Sequence, residues 1–202
     1  MPPRIVYLIL IVAAVLAGGA VFLARSLPGD AVRIVSKGAS GTAKIGGAFQ
    51  LTDHRGRTVS DTDLRGRSLL IFFGYTHCPD VCPMTLLRLT EALELLGADG
   101  EAIQPIFITV DPLRDTPDVI ADYIANFDPR FIGLTGTRQQ IAAVERAFAV
   151  YAKAAQDSGT NANYLVDHTA LAYLMGPDGA FRAYIAQTPS PSEMADKIRE
   201  HL

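Results

Sequence analysis

Two runs of residues decide what this chain can fold into: Leu69-Leu-Ile-Phe-Phe73, which ends at Gly74, and Ile106-Phe-Ile-Thr-Val110, which ends at Asp111-Pro112. Neither alternates polar with apolar residues, so each reads as a strand buried on both faces in a sheet covered by helices. Between them Leu86, Leu89, Leu93 and Leu96 recur at the spacing of one helix face. Strand, helix and strand in this order form a βαβ unit with a parallel pair and a right-handed crossover.

The flanking segments carry their own start and stop signals. Thr116-Pro117-Asp118 supplies an N-cap, a proline at the first helical position and an acid in the first turn. Thr137 with Gln140, and Ser190 with Glu193, have the spacing of capping boxes. A hairpin is expected over Thr169 to Gly176 and Phe181 to Ala186, turning at Pro177-Asp178-Gly179, and another over Phe49 to Ser60, turning at Asp53 to Gly56. The order hairpin, β, α, β, α, α, β-hairpin, α predicts an α/β domain over 46–202. Its expected fold is thioredoxin-like, with an N-terminal β-hairpin addition and an inserted helix.

Ahead of this domain, Ile5 to Ala24 is apolar except for Gly18 and Gly19 and carries no charge. Twenty such residues at 1.5 Å each span about 30 Å, the thickness of a bilayer's hydrocarbon core. The run exceeds the about 7–15 residues of a signal peptide's apolar region, although Ala17-Gly-Gly-Ala20 has the small residues of a cleavage site. We read 1–25 as a single membrane anchor and 26–45, with Pro28, Gly29, Gly38, Ser40 and Gly41, as a flexible linker. The short tail before the span, and the lack of an Arg- and Ser-rich transit sequence, place the anchor in a bacterial inner membrane with the domain facing the periplasm. A net charge of −3 offers no field for nucleic acid, and 49% apolar against 19% charged residues excludes a disordered chain.

The only two cysteines, Cys78 and Cys82, fall in Gly74-Tyr-Thr-His-Cys-Pro-Asp-Val-Cys-Pro83, between a buried strand and the next helix. Open α/β sheets bind ligands at the carboxyl ends of their strands, and unpaired N–H groups at a helix start favour thiolate over thiol. Four residues apart on a helical turn, the two sulfurs project together and can form a disulfide or hold one ion. A purely structural disulfide here closes a ring of a few residues, and so contributes little by the chain-entropy model. Four Cys or His ligands for structural zinc are hard to assemble, whereas two thiolates suit Cu(I) and an added imidazole also suits Cu(II).

Four histidines compete to complete the set. His201 is penultimate, His54 sits in an expected surface turn, and His77 is adjacent to Cys78 and so points away, with tuning of the thiolate as its remaining role. His168 lies in an expected loop that abuts the cysteines in a thioredoxin-like topology. Its position alone leaves metal ligand and hydrogen-bonded loop residue equally open.

Three separated motifs, Phe72-Phe-Gly-Tyr-Thr-His-Cys-Pro-Asp-Val-Cys-Pro83, Val110-Asp-Pro-Leu-Arg-Asp-Thr-Pro117 and Tyr164-Leu-Val-Asp-His-Thr169, resemble the Sco/SenC family in the same order. Members of that family are membrane-anchored, thioredoxin-like copper proteins involved in maturing cytochrome c oxidase. The resemblance implies that Cys78, Cys82 and His168 are the copper ligands, for Cu(I), Cu(II) or both. The partner it implies is the oxidase's copper-binding subunit or another copper chaperone. Asp80 and Asp167 are open both as groups that hydrogen-bond a ligand and as solvated loop acids. Asp111, Arg114 and Asp115 are expected to fix a loop and helix start.

Two functions follow. In the first, the protein is a metallochaperone and not an enzyme, delivering copper to the dinuclear copper centre of cytochrome c oxidase. In the second it is a thiol–disulfide oxidoreductase, with Cys78 and Cys82 as its redox pair, that reduces an acceptor's cysteines before metallation. A sensor that signals through its liganded state has only the exposure of the pair in its favour.

Overall fold

The structure, a computed structural model, describes residues 45–155 and 164–202, all inside a compact unit spanning Ala43–Leu202. The anchor over 1–25 and the linker up to residue 44 lie outside the described residues. Among the described residues no helix is long and apolar enough to cross a membrane. Ile45, assigned to the linker from sequence, is already part of the core at 9% exposed. Beside it the Gly46 N–H donates to the Ala147 carbonyl at 2.8 Å.

The expected βαβ unit is formed by β3 (Ser68–Gly74), α1 (Val81–Leu95) and β4 (Ile103–Thr109), with the two strands parallel in register from Ser68–Ile103 to Gly74–Thr109. A short helix, α2 (Ala98–Glu101), leads into β4. Leu70, Ile71, Phe72, Phe73, Ile106, Phe107 and Ile108 are each at most 1% exposed. At about 1.5–3 kcal/mol per buried side chain, these two strands form a stiff platform for whatever loops leave their ends.

The remaining elements extend that platform. The N-terminal hairpin is β1 (Gln50–Asp53) and β2 (Thr58–Ser60), and α3 (Pro117–Ile124) starts from Thr116, whose hydroxyl accepts from Val119 N–H. The two capping boxes are made: Thr137 opens α4 (Arg138–Ala147) and Ser190 opens α5 (Pro191–Arg199). Strands β8 (Leu171–Met175) and β9 (Phe181–Ala186) pair antiparallel, starting at Leu171 and not at Thr169 as expected. The sequence-based order lacked β5 (Ile132–Thr135), which pairs parallel to β4. It also lacked a separate two-stranded ribbon, β6 (Ala152–Ala154) against β7 (Val166–His168).

The main sheet runs β2-β1-β5-β4-β3-β8-β9. Steps from β3 to β4 to β5 move one way across it, so right-handed crossovers place α1 and α3 on the same face; α5 packs there against α1. Phe72 and Phe107 point to that face with rings 6.5 Å apart, while Phe73 meets Phe148 and Tyr173 on the other at 5.4 and 5.6 Å. The glycine in β5 is a packing requirement. A Cβ on Gly133 would lie 2.1 Å from Ile120 Cγ2 of α3.

Candidate metal centre

The site is built where β3 ends. Gly74 closes the strand, and a Cβ there would sit 3.0 Å from Cys82 Sγ, from Phe107 Cε2 and from Phe72 Cε1. The absent side chain therefore makes the seat of the Cys82 sulfur. The loop that follows turns through Cys78 N–H to Tyr75 carbonyl (3.3 Å) and enters α1 at Val81. Cys82 thus lies in the first turn of α1, fully buried, while Cys78 stays in the loop, half-buried, and not on the helix as the spacing had suggested. Asp80 occupies the cap position but makes no side-chain cap bond. The Cys78 sulfur takes that part, accepting the Cys82 N–H at 3.4 Å.

His168 ends β7, on a strand and not in a loop. Its alternation on the ribbon turns the imidazole inward and leaves Asp167 exposed, paired across to Lys153. Tyr75 fixes the ribbon over the cysteines: its hydroxyl accepts the Val166 N–H at 3.3 Å and its ring meets the His168 ring edge-on at 5.8 Å. His168 Nδ1 lies 3.1 Å from the Thr169 carbonyl, which can only accept, so Nδ1 carries the proton and in the neutral ring Nε2 presents a lone pair. That nitrogen stands 3.3 Å from Cys82 Sγ, across 86 residues of sequence. The orienting role open to Asp167 thus falls to a backbone carbonyl.

The two sulfurs share protons unequally. The hydrogen bond from Cys82 holds the Cys78 thiol well below the usual range, against the opposing effect of burial, and contacts from His168 and from the Asp80 and Cys82 N–H groups add to it. Donating to Cys78, together with burial, pushes Cys82 up. Their mutual hydrogen bond thus favours thiolate at Cys78 and thiol at Cys82, and no disulfide joins them. Among the described residues no three metal-ligating side chains already surround a common point at coordination spacing. The gap is small. With bonds of about 2.3 Å to sulfur and 2.0 Å to nitrogen, ligands at tetrahedral or trigonal angles stand about 3.5–3.7 Å apart, so Cys82 and His168 need to part by only a few tenths of an ångström.

Asp115 has a larger part than sequence suggested. It is fully buried and accepts from Thr76 N–H (3.0 Å), Thr76 hydroxyl (2.7 Å) and Thr109 hydroxyl (2.5 Å), which ties the cysteine loop to the end of β4. Arg114 stacks 3.6 Å over Tyr164, and both side chains bind Asp111. His77 is drawn to this network, 3.0 Å from the Thr76 hydroxyl and 3.7 Å from Asp115, and not to a sulfur. His54, expected at the surface, is half-buried and accepts the Gly133 N–H at 3.2 Å; burial lowers its pKa. His201 lies past α5, its N–H bonded to Ile198.

Fold and site together define a thioredoxin-like protein with two cysteines and one histidine converging at a strand end, a soft-metal donor set. The chain belongs to the SCO1/SenC family, whose sequence profile matches residues 37–202. It is 43% identical over 158 residues to the bovine mitochondrial protein SCO2 homolog, covering 77% of this chain and 59% of that one. It is 35% identical over 206 residues to the SCO2-like protein of Rickettsia felis, covering 98% of each. The mitochondrial relatives are longer, and this chain spans 54% of the human SCO1 homolog. Among solved structures it is similar to ScoI of Bradyrhizobium japonicum with copper bound, at TM-score 0.71 and 46% identity, covering 78% of this chain and 99% of that one.

Proposed function

We propose that this protein is a copper chaperone in which Cys78, Cys82 and His168 hold the metal and pass it to the dinuclear copper centre of cytochrome c oxidase. The observation that carries the reading is the approach of His168 Nε2 to Cys82 Sγ at 3.3 Å, beside a second sulfur. Two sulfurs and an imidazole suit Cu(I) at low coordination and accept Cu(II) with added ligands. Cys78 and His168 are half-buried and Cys82 is enclosed, so an acceptor's ligands can enter on their side while Cys82 still holds the ion. Copper-bound structures of similar proteins from Bradyrhizobium japonicum and yeast support this choice of cargo. Anchoring through residues 5–24 in a bacterial inner membrane, with the domain in the periplasm, is part of the same proposal and rests on the uncharged apolar run. Disulfide exchange needs only the two sulfurs, whereas an imidazole nitrogen 3.3 Å from the buried sulfur completes a soft-metal donor set, so the site favours metal holding over exchange.

The test is an anaerobic copper titration of the reduced protein, wild type beside His168→Ala. One equivalent of Cu(II) giving intense sulfur-to-copper absorption, lost or displaced in the variant, supports the three-ligand site. Identical weak binding in both proteins refutes it.

A further inference from the structure

We propose that Tyr164 is a positioning residue of this centre, fastening the strand that ends in His168 to the body that carries the cysteines, and so sustaining the affinity for Cu(II). The proposal rests on the copper reading above. Strands β6 and β7 pair over three residues only, and a two-stranded ribbon of that length is marginal by itself. The place of His168 over the cysteines therefore depends on what holds the ribbon from outside. Tyr164 stands two residues ahead of β7, and its hydroxyl donates to Asp111 Oδ1 at 2.5 Å. The Arg114 guanidinium lies 3.6 Å from the centre of the Tyr164 ring and 5.7 Å from that of Tyr75, and Arg114 Nε donates to the other oxygen of Asp111. Arg114 thus stands over two tyrosines that both act on the ribbon: Tyr164 at its lead-in, and Tyr75 through the Val166 N–H at 3.3 Å.

The accepting end of this fastening is itself fixed. Asp111 is buried, its N–H donates to the Thr109 hydroxyl at 2.9 Å, and its carbonyl accepts the Asp115 N–H at 3.0 Å. Asp115 is the carboxylate that holds Thr76 of the cysteine loop. A continuous path of contacts therefore runs from the cysteine loop through Asp115, Asp111 and Tyr164 to β7. His168 lies four residues beyond Tyr164, about 13 Å along an extended strand. Ligand positions tolerate only about 0.2 Å, so a small slip at the lead-in is enough to misplace the imidazole. Two thiolates hold Cu(I) by themselves, whereas Cu(II) draws on the imidazole as well. Loss of the fastening therefore weakens Cu(II) binding and spares Cu(I).

The experiment compares three full-length, reduced proteins: wild type, Tyr164→Phe and Arg114→Lys. The readouts are Cu(II) and Cu(I) affinity by chelator competition, and the imidazole-nitrogen coupling in the electron paramagnetic resonance spectrum of the Cu(II) form; thermal unfolding without metal checks folding. Tyr164→Phe keeps the ring under Arg114 and loses the bond to Asp111. Its Cu(II) affinity falls about tenfold, the scale of one hydrogen bond to a charged group, and its Cu(I) affinity stays within about twofold of wild type. The nitrogen coupling weakens with it. Arg114→Lys keeps a charge beside Asp111 but loses the planar face over both rings. It shows the same split, and decides alone should Tyr164→Phe not fold. Cu(II) affinity unchanged, Cu(I) affinity falling as far as Cu(II), or nitrogen coupling identical to wild type each overturns the assignment of Tyr164 and leaves the copper reading standing. A wild-type protein with no nitrogen coupling to bound Cu(II) overturns the copper reading, and this inference with it.

Discussion

Replacing Gly74 by alanine adds one methyl group at the point where strand, helix and sulfur meet. The new carbon has three neighbours at 3.0 Å, Cys82 Sγ and the edges of Phe72 and Phe107. Comfortable carbon contacts begin near about 3.5 Å, so each neighbour must recede by about 0.5 Å. The rings are held by a fully buried sheet, and the sulfur is the side chain that gives. Overpacking of this kind costs about 1–3 kcal/mol, offset by about 0.5–1 kcal/mol from removing a flexible glycine from a strand. The net loss is centred on about 1.3 kcal/mol within a range of about 0–2.5, which for a domain of this size is a fall in Tm of about 4 °C. Ligand positions tolerate only about 0.2 Å, so the displacement weakens copper binding at least about tenfold. Differential scanning fluorimetry and a Cu(I) competition titration read both numbers. A Gly74→Ala protein that melts no lower than wild type and binds copper as tightly would refute the argument that the missing side chain seats the sulfur.

Two further outcomes concern Asp115 beside the site and Glu145 on α4. Asp115→Ala strands the Thr76 N–H and two hydroxyls, at a cost of about 3–4 kcal/mol in urea unfolding; a loss under about 1 kcal/mol would show that the network is not what holds the cysteine loop. Burial raises the Glu145 carboxyl to about 7, so the unfolded chain gives up this proton first, and the contribution of Glu145 to stability falls as pH rises from about 4.5 to about 7. Glu145→Gln therefore raises Tm at pH 8 and leaves it unchanged at pH 4, and an equal shift at both pH values would exclude the carboxyl as its source.

What the sequence disclosed was what local patterning controls. Strands β3 and β4 were legible because both faces are buried, which leaves an unbroken apolar run. Thr116, Thr137 and Ser190 were legible as helix starts because a cap is satisfied within a few residues of itself. Ile132-Gly-Leu-Thr135 was not, since four residues with a glycine carry no period, and that glycine is there for Ile120 of the preceding helix. Ala152-Lys-Ala154 has almost no apolar signal, so the ribbon was invisible and His168 was assigned to a loop. The convergence of His168 on Cys82 was suggested only by topology and resemblance, because a contact across 86 residues leaves no trace in local spacing. His54 was misjudged, and the reach of Asp115 to the cysteine loop was missed, for the same reason. Gly133 lies on β5, 79 residues from His54, and Thr76 lies in the cysteine loop, 39 residues from Asp115.

His168, the proposed third donor, arrives on a ribbon whose pairing is three residues long and lies outside the main sheet. An ion held between Cys82 and His168 is then a removable cross-link across an 86-residue loop. By the entropy of closing such a loop, a permanent link there is worth about 4–5 kcal/mol. On the proposed copper reading, loading would stiffen the chain around its cargo, and surrender of the ion would release the staple. A full carrier and an empty one would thus differ in rigidity at the same surface an acceptor must touch, and slowed amide exchange in the ribbon would report the difference without any spectroscopic handle on the metal.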